Sequence, residues 1–89
     1  MSKWTIRFSE DALKTLKKLD NSTVRLIDSW ISKHLENCED PRLFGKPLVA
    51  NQKGKWRYRI GDYRMLCELN DNVLLILVIK IGHRRDVYK

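Results

Sequence analysis

A β-hairpin between Lys55 and Leu66, KWRYRIGDYRML, is the feature that most constrains the fold. Successive side chains of a strand point to opposite faces, so the apolar and the basic residues of its first half separate. Gly61-Asp62 fits a two-residue turn, and Gly at the first central position favours type II′. We take Ile60 and Tyr63 to flank this turn. The facing pairs are then Arg59 with Arg64, Tyr58 with Met65, and Arg57 with Leu66.

This register predicts one apolar face and one face of arginines. The apolar face carries Trp56, Tyr58, Ile60, Met65, Cys67 and Leu69. On the other face Arg59 lies opposite Arg64, and like charges in a cross-strand pair destabilise a sheet by up to roughly 1 kcal/mol. The pair therefore indicates an anionic ligand. The alternative is a solvated hairpin face whose arginines splay apart into water.

Charge is distributed unevenly along the 89 residues, a length that suits one domain, 1–89. Residues 1–44 carry eight Lys/Arg and seven Asp/Glu, whereas residues 45–89 carry ten and four. Of the net charge of +7, the second half therefore contributes +6. This asymmetry predicts a polyanionic partner, either nucleic acid or an acidic protein, bound by the C-terminal half.

Membrane and metal sites are not expected from the sequence. The apolar run Val73–Ile79 is far shorter than the ~20 residues of a spanning helix. The first ten residues lack the apolar core of a signal peptide, so we expect a cytoplasmic protein. Cys38 and Cys67 belong to no metal-binding motif, and both are expected to be reduced thiols, with Cys67 buried.

The N-terminal half predicts a strand and a helical hairpin. In WTIRF, the residues Trp4, Ile6 and Phe8 share one side. Ser9 is placed to cap a helix whose buried stripe is Leu13, Leu16 and Leu19. Asp20-Asn21-Ser22 supplies the next cap. The second helix has an apolar stripe of Val24, Ile27, Ile31 and Leu35, widened by Leu26 and Trp30.

Residues 38–55 lose the apolar period and read as a connection. After the hairpin, a turn at Asn70-Asp71-Asn72 leads to a strand from Val73 to Ile81, apolar on nearly every residue and therefore interior. The predicted architecture is α+β, in the order β-α-α-β-β-β. It is a small, mainly antiparallel sheet with the helical hairpin packed on its apolar face.

The last strand should bring the C-terminal segment to the arginines. A turn closing near Leu69 and Val73 sets Arg64 opposite Val78, so that GHRRDVY, residues 82–88, returns beside the hairpin turn. Arginine forks match phosphate geometry. His83 and Tyr88 add an imidazole and a phenol, which exchange protons or stack on bases.

Together these segments resemble the RelE branch of the RelE/ParE superfamily of bacterial toxin-antitoxin toxins. The similarity lies in FSEDALKTLKKLD, LFGKPL, WRYRIGDYRMLCEL and IKIGHRRDVY, and it covers nearly the whole chain. It implies a ribosome-dependent endoribonuclease that cleaves mRNA in the A site. In this chemistry the ribose 2′-hydroxyl attacks the adjacent phosphate, with no metal or cofactor. An antitoxin holds the activity in check.

The resemblance also implies roles for individual residues. Arg57 and Arg59 occupy positions that act on the 2′-hydroxyl and the phosphate, and Arg64 matches the arginine that stabilises charge developing on the phosphate. Arg84 matches an arginine at the scissile phosphate or leaving group, and Tyr88 the tyrosine that stacks on a base. Nearby basic residues expected to bind RNA or the ribosome are Lys53, Lys55, Arg85 and Lys89.

The sequence does not identify which residue acts as the general base. The family often has lysines where this chain has Arg57 and Arg59, and arginine resists deprotonation. Either a guanidinium stabilises an emerging alkoxide, or His83 transfers a proton. Glu68 shares the face of Arg64 and is a further possible base, or an ion-pair partner.

The expected partners are a RelB-like antitoxin on the basic face, the ribosome and mRNA, with no membrane. The toxin-antitoxin complex is expected to bind its own promoter DNA through the antitoxin. Two alternatives stay open: a ParE-like inhibitor of DNA gyrase without nuclease activity, and a nucleic-acid-binding module without catalysis. GDYR is common to both branches, whereas GHRRDVY favours the nuclease.

Overall fold

A five-stranded sheet and two helices build the protein. The computed structural model describes residues 4–36, 38–48 and 54–83. In chain order the elements are β1 (Thr5–Phe8), α1 (Glu10–Lys18), α2 (Asn21–His34), a 3₁₀ turn (Pro41–Leu43), β2 (Lys46–Pro47), β3 (Lys55–Ile60), β4 (Tyr63–Asn70) and β5 (Leu75–His83). The strand order is β1-β5-β4-β3-β2, and only β1 and β5 pair in parallel. The α+β architecture is as predicted, with β2 added inside the expected connection.

Ser9 begins α1 and also attaches it to the sheet. Its Oγ accepts a hydrogen bond from the Ala12 N–H at 3.1 Å, the capping bond that the sequence predicts. The same hydroxyl donates to the Ile79 carbonyl at 2.7 Å, and the Ser9 N–H donates to the Val78 carbonyl at 2.9 Å. These bonds hold the start of the helix against β5, where a small side chain fits. Ala12 is therefore fully buried, and the prediction that Leu13 is buried was wrong, since Leu13 is 45% exposed.

The second helix supplies most of the helical part of the core. Asp20 caps it, accepting from the Thr23 N–H at 3.3 Å. Its predicted stripe is confirmed at Ile27, Ile31 and Leu35, which are all buried. Leu26 was expected to widen this stripe and does not, because it lies about 100° around the helix from Ile27 and remains 49% exposed.

The hairpin pairs as predicted. Arg59 is opposite Arg64, and Tyr58 is opposite Met65. Gly61 has φ +59°, while no positive φ occurs at Asp62, as a type II′ turn requires. The sheet residues buried against the helices include Tyr58, Ile60, Met65, Cys67, Leu69, Ile76, Val78 and Ile81. The helices therefore cover one face, and neither described helix covers the face that carries the arginines.

The register of β4 with β5 differs from the expected one. Leu69 faces Ile76, and Arg64 faces Gly82 rather than Val78. One cause is a longer turn: β4 continues to Asn70 and β5 begins at Leu75, with Leu74 at φ +49° in between. The other is a β-bulge, because Leu66 pairs with Lys80 and Cys67 with Val78, which leaves Ile79 as the extra residue.

The bulge also changes which face each residue of β5 occupies. Before it, Ile76 and Val78 are in the core; after it, Ile81 is buried and Lys80 is exposed. A lysine within a strand of apolar residues thus avoids the core. Of the two described helices, neither is both long and apolar enough to traverse a membrane.

Candidate anion-binding face

Three arginines and a lysine line one cleft on the face that the helices leave uncovered. The cleft has a volume of about 350 Å³ and is lined by Gly45, Lys46, Arg57, Arg59 and Arg64. Arg57 and Arg59 share a face because they are two residues apart on β3, and the hairpin turn brings Arg64 beside them. The structure therefore brings together the three arginines that the sequence singles out.

Arg64 is partly enclosed within this cluster. Its Nε lies out of contact with solvent, whereas Arg59 is exposed. Its neighbour on β5 is Gly82, which has no side chain to cover it. An arginine whose Nε is enclosed offers its two outer amino groups in a limited range of directions. This suits the recognition of one tetrahedral anion better than a freely moving side chain does.

Lys46 belongs to the site, and sequence reasoning missed it. It lies on the two-residue strand β2, directly opposite Arg57. The segment was expected to be a connection because a strand of two residues has no detectable period. The only local signal is the Gly-Lys-Pro order, since proline is compatible with an edge strand.

Lys55 and Glu68 form an ion pair at the other end of β3. The Nζ of Lys55 donates to Oε2 of Glu68 at 3.1 Å, and the two residues face each other across the hairpin. Of the two roles left open for Glu68, ion pairing is the one observed. Lys55, expected to bind RNA or the ribosome, is on the arginine face with its charge shared by a carboxylate.

His83 reaches the predicted end of the sheet but occupies the other face. It pairs with Tyr63, and their rings meet edge to face with centroids 5.7 Å apart. Tyr63 faces Ile60, so strand alternation places Tyr63 and His83 on the helix-covered side. Arg64 and Gly82 form the adjacent pair on the arginine side.

Five residues named from the sequence lie outside the described ranges: Lys53, Arg84, Arg85, Tyr88 and Lys89. Their roles stay predictions. Within the described ranges, no group of three His, Cys, Asp or Glu side chains is arranged to hold a metal ion. Cys38 and Cys67 are free thiols, and burial raises the pKa of Cys67 above its ordinary value.

The arginine-bearing face also carries an apolar strip beside the cleft. Leu66, Leu75 and Leu77 face Arg57, Asn70 and Glu68 across the strands, which places all three on the arginine side. Each of these leucines is half-buried. The face thus combines a cationic end with an apolar middle, a surface suited to a partner that is both acidic and amphipathic.

The sequence matches known toxins over nearly its full length. The family model of the ParE toxin of the type II toxin-antitoxin system parDE matches residues 6–88. Toxin RelG of Mycobacterium tuberculosis is 28% identical over 86 residues, which cover 97% of this chain and 97% of RelG. A putative RelE-like toxin protein of Escherichia coli is 30% identical over 90 residues, covering 97% and 90%.

Solved structures share the fold. The toxin-antitoxin complex RelBE2 from M. tuberculosis contains a chain that superposes with a TM-score of 0.83 at 28% identity, with 97% of both chains covered. The isolated E. coli RelE toxin superposes with a TM-score of 0.70 at 21% identity, covering 98% of this chain and 92% of that one, and shows the fold alone. From the family match and these relatives, the chain belongs to the RelE/ParE superfamily of toxins of type II toxin-antitoxin systems.

Proposed function

We propose that this toxin is a ribosome-dependent endoribonuclease that cleaves mRNA in the ribosomal A site. The observation that carries the proposal is the cleft lined by Arg57, Arg59 and Arg64, on the sheet face that neither described helix covers. Three guanidinium groups that converge on one space suit the negative charge of a phosphorane-like transition state. The identity to RelG and to the RelE-like toxin supports the same assignment.

The proposed reaction needs no external reagent. The 2′-oxygen forms a bond to phosphorus and the bond from phosphorus to the 5′-oxygen breaks, which leaves a 2′,3′-cyclic phosphate and a 5′-hydroxyl. The 2′-hydroxyl loses its proton to water, and the departing 5′-oxygen takes a proton from water. We assign charge stabilisation to Arg64, contact with the 2′-hydroxyl and phosphate to Arg57 and Arg59, leaving-group contact to Arg84, and base stacking to Tyr88.

We propose that the arginines of β3, rather than His83, assist the loss of the 2′-hydroxyl proton. A guanidinium cannot serve as a general base, but it stabilises an alkoxide as the proton leaves to water. The side chain of His83 starts from the face opposite Arg64 and contacts Tyr63. Orientation of the substrate by the ribosome then supplies much of the rate.

The proposed partner is a RelB-like antitoxin that covers the arginine face. RelBE2 of M. tuberculosis is a toxin-antitoxin complex, and this chain resembles one of its chains over nearly its whole length. An acidic, partly disordered segment that folds on binding would pair with Arg57 and Arg59 and cover the leucine strip. We also propose that the resulting complex binds its own promoter DNA through the antitoxin.

A second candidate is inhibition of DNA gyrase without nuclease activity. One observation favours it: the matching family model is that of the ParE toxin. In this case the arginines would bind protein rather than a scissile phosphate.

One preparation tests both functions. Primer extension on mRNA in a purified translation system should show that the wild type cuts at A-site codons. The variants Arg64→Ala and Arg84→Ala are the inactive comparisons and should produce no such cuts. The same preparation is then tested for inhibition of DNA supercoiling by gyrase. Intact mRNA together with blocked supercoiling would reject the nuclease and establish the second candidate.

A further inference from the structure

The strand β2 places a fourth cation in line with the three arginines. Lys46 is the direct partner of Arg57, and cross-strand partners have Cα atoms about 4.5–5.5 Å apart. Arg59 is two residues further along β3, and Arg64 is opposite Arg59. The four positions therefore form a stepped diagonal across three strands. From end to end it measures on the order of 12 Å between Cα atoms.

The backbone that carries Lys46 is held closely against β3. Gly45 has φ +72°, and a Cβ at this position would collide with the carbonyl oxygen of Arg57 and lie 2.7 Å from the Tyr58 ring. Two side chains of β3 bind the preceding segment. The indole N–H of Trp56 donates to the Phe44 carbonyl at 2.6 Å, and the Tyr58 hydroxyl donates to the Pro41 carbonyl at 2.8 Å. The position of Lys46 is thus determined by contacts with the strand of the site itself.

The charge of Lys46 is not shared by a carboxylate of the described residues. Among these residues, Lys55 pairs with Glu68 and Arg42 pairs with Asp71. Lys46 is exposed and takes part in neither. Lys46 therefore adds a further positive charge opposite Arg57 at the edge of the cleft, and this suits a ligand with more than one negative charge.

We propose that Lys46 binds an mRNA phosphate adjoining the scissile one, and that the diagonal from Lys46 to Arg64 is the path of the RNA backbone across the sheet. This inference rests on the proposed nuclease function. Lys46 is a binding residue rather than a catalytic one, because it lies at the far end of the diagonal from Arg64. An ammonium group on a flexible stem suits a contact that needs charge but no fixed geometry.

The test is single-turnover cleavage of mRNA on programmed ribosomes over a range of toxin concentrations. Lys46→Ala should raise the half-saturating concentration by roughly three- to tenfold while leaving the maximal rate within about twofold. It should also reduce the slope of log affinity against log salt concentration by about one. Lys46→Arg should restore both values. Lys17→Ala, an exposed lysine on α1, removes the same charge and should behave like the wild type.

A chemically neutral linkage identifies the contact directly. A series of mRNAs is prepared, each with one methylphosphonate at a different linkage around the cut. At one linkage, this substitution should weaken binding of the wild type to the affinity of Lys46→Ala. At the same linkage it should not weaken binding of Lys46→Ala any further. If every linkage weakens both proteins equally, or if Lys46→Ala retains the wild-type half-saturating concentration, the inference is wrong even though the nuclease stands.

Failure of the proposed function would look different. A wild-type protein that cuts no message rejects the nuclease. The affinity for a 2′-O-methyl RNA hexamer, which cannot react, then tests whether Lys46 binds RNA independently of cleavage. Weaker binding by Lys46→Ala than by Lys17→Ala would keep the diagonal as a nucleic-acid surface, and equal binding would reject it.

Discussion

Arg59 and Arg64 lie directly opposite each other across the β3–β4 hairpin, next to its turn, on the sheet face that neither described helix covers. Like charges that face each other across two strands oppose folding, and here they concentrate positive charge in the cleft. Folding and anion binding therefore place opposite demands on these two positions. Substitutions at this pair should separate stability from activity.

Replacing Arg59 by Gln should leave the protein as stable as before or more stable, by up to roughly 1 kcal/mol, since it removes the like-charge pair. In the proposed nuclease, the same change should lower the cleavage rate at least about tenfold, because it removes one of the proposed donors to the phosphate. Urea unfolding and primer extension measure the two effects. Arg25→Gln, at an exposed position of α2, is the control and should alter neither. Loss of stability in Arg59→Gln would show that the arginine contributes to folding.

Alanine at Gly45 should be much more destabilising than alanine at Gly54. Both glycines have positive φ, +72° and +78°, so each substitution incurs about 1–2 kcal/mol of backbone strain. Only at Gly45 does the added Cβ meet the Arg57 carbonyl and the Tyr58 ring, whereas no described atom lies within 4 Å at Gly54. Overpacking should add about 1–3 kcal/mol, measured by urea unfolding. Equal losses in the two variants would contradict the close approach of β2 to β3.

Exchange of Glu68 for Gln distinguishes a proton-transfer role from ion pairing. In the structure its carboxylate binds the Lys55 ammonium at 3.1 Å. We therefore expect cleavage by Glu68→Gln to stay within about threefold of the wild type, with an unchanged pH profile. RNA affinity should rise slightly, since Lys55 is released. Loss of the basic limb of the pH profile would instead identify Glu68 as a base.

The imidazole of His83 provides the corresponding test for the remaining candidate. His83→Gln should reduce cleavage by less than about fivefold and preserve the shape of the pH profile, because the ring contacts Tyr63 on the face opposite Arg64. Tyr63→Phe retains the ring contact and is the matched control. If the pH profile of cleavage loses one ionisation in His83→Gln but not in Tyr63→Phe, His83 takes part in proton transfer.

Alkaline pH should destabilise the protein through Tyr58. Burial raises the pKa of this phenol above its ordinary value of 10.0. The buried neutral phenol stabilises the fold fully below pH 10, and this contribution is lost as pH rises above 10. Burial likewise raises the pKa of Cys67 from 9.0, so the decline begins near pH 9.

The Tyr58 contribution is isolated with Tyr58→Phe in a Cys67→Ala background. At pH 7 the Phe variant should lose about 1–3 kcal/mol, because the Pro41 carbonyl loses its donor. Between pH 9 and pH 11 its urea midpoint should fall less than that of Cys67→Ala alone. Parallel declines would show that another group is responsible.

Whether a feature could be predicted from the sequence depended on how far apart along the chain the interacting residues are. Local features were correctly predicted: the caps at Ser9 and Asp20, the stripe of Ile27 and Ile31, and the hairpin register around Gly61. Each depends on neighbours within a few residues, because capping bonds, helical spacing and strand alternation are properties of a short segment. The three cleft arginines follow directly from that hairpin register.

Other features depend on contacts between distant segments. Ala12 rather than Leu13 is buried because Ser9 binds β5 some 70 residues further along the chain. The bulge at Ile79 moves Lys80 out of the core and sets His83 apart from Arg64, and nothing in an apolar run marks where a bulge falls. Lys46 lies in the cleft only because Gly45, which has no Cβ, allows Lys46 and Pro47 to pair with β3. The sequence by itself determined the arginine hairpin and the elements beside it, while tertiary pairing decided what surrounds the arginines.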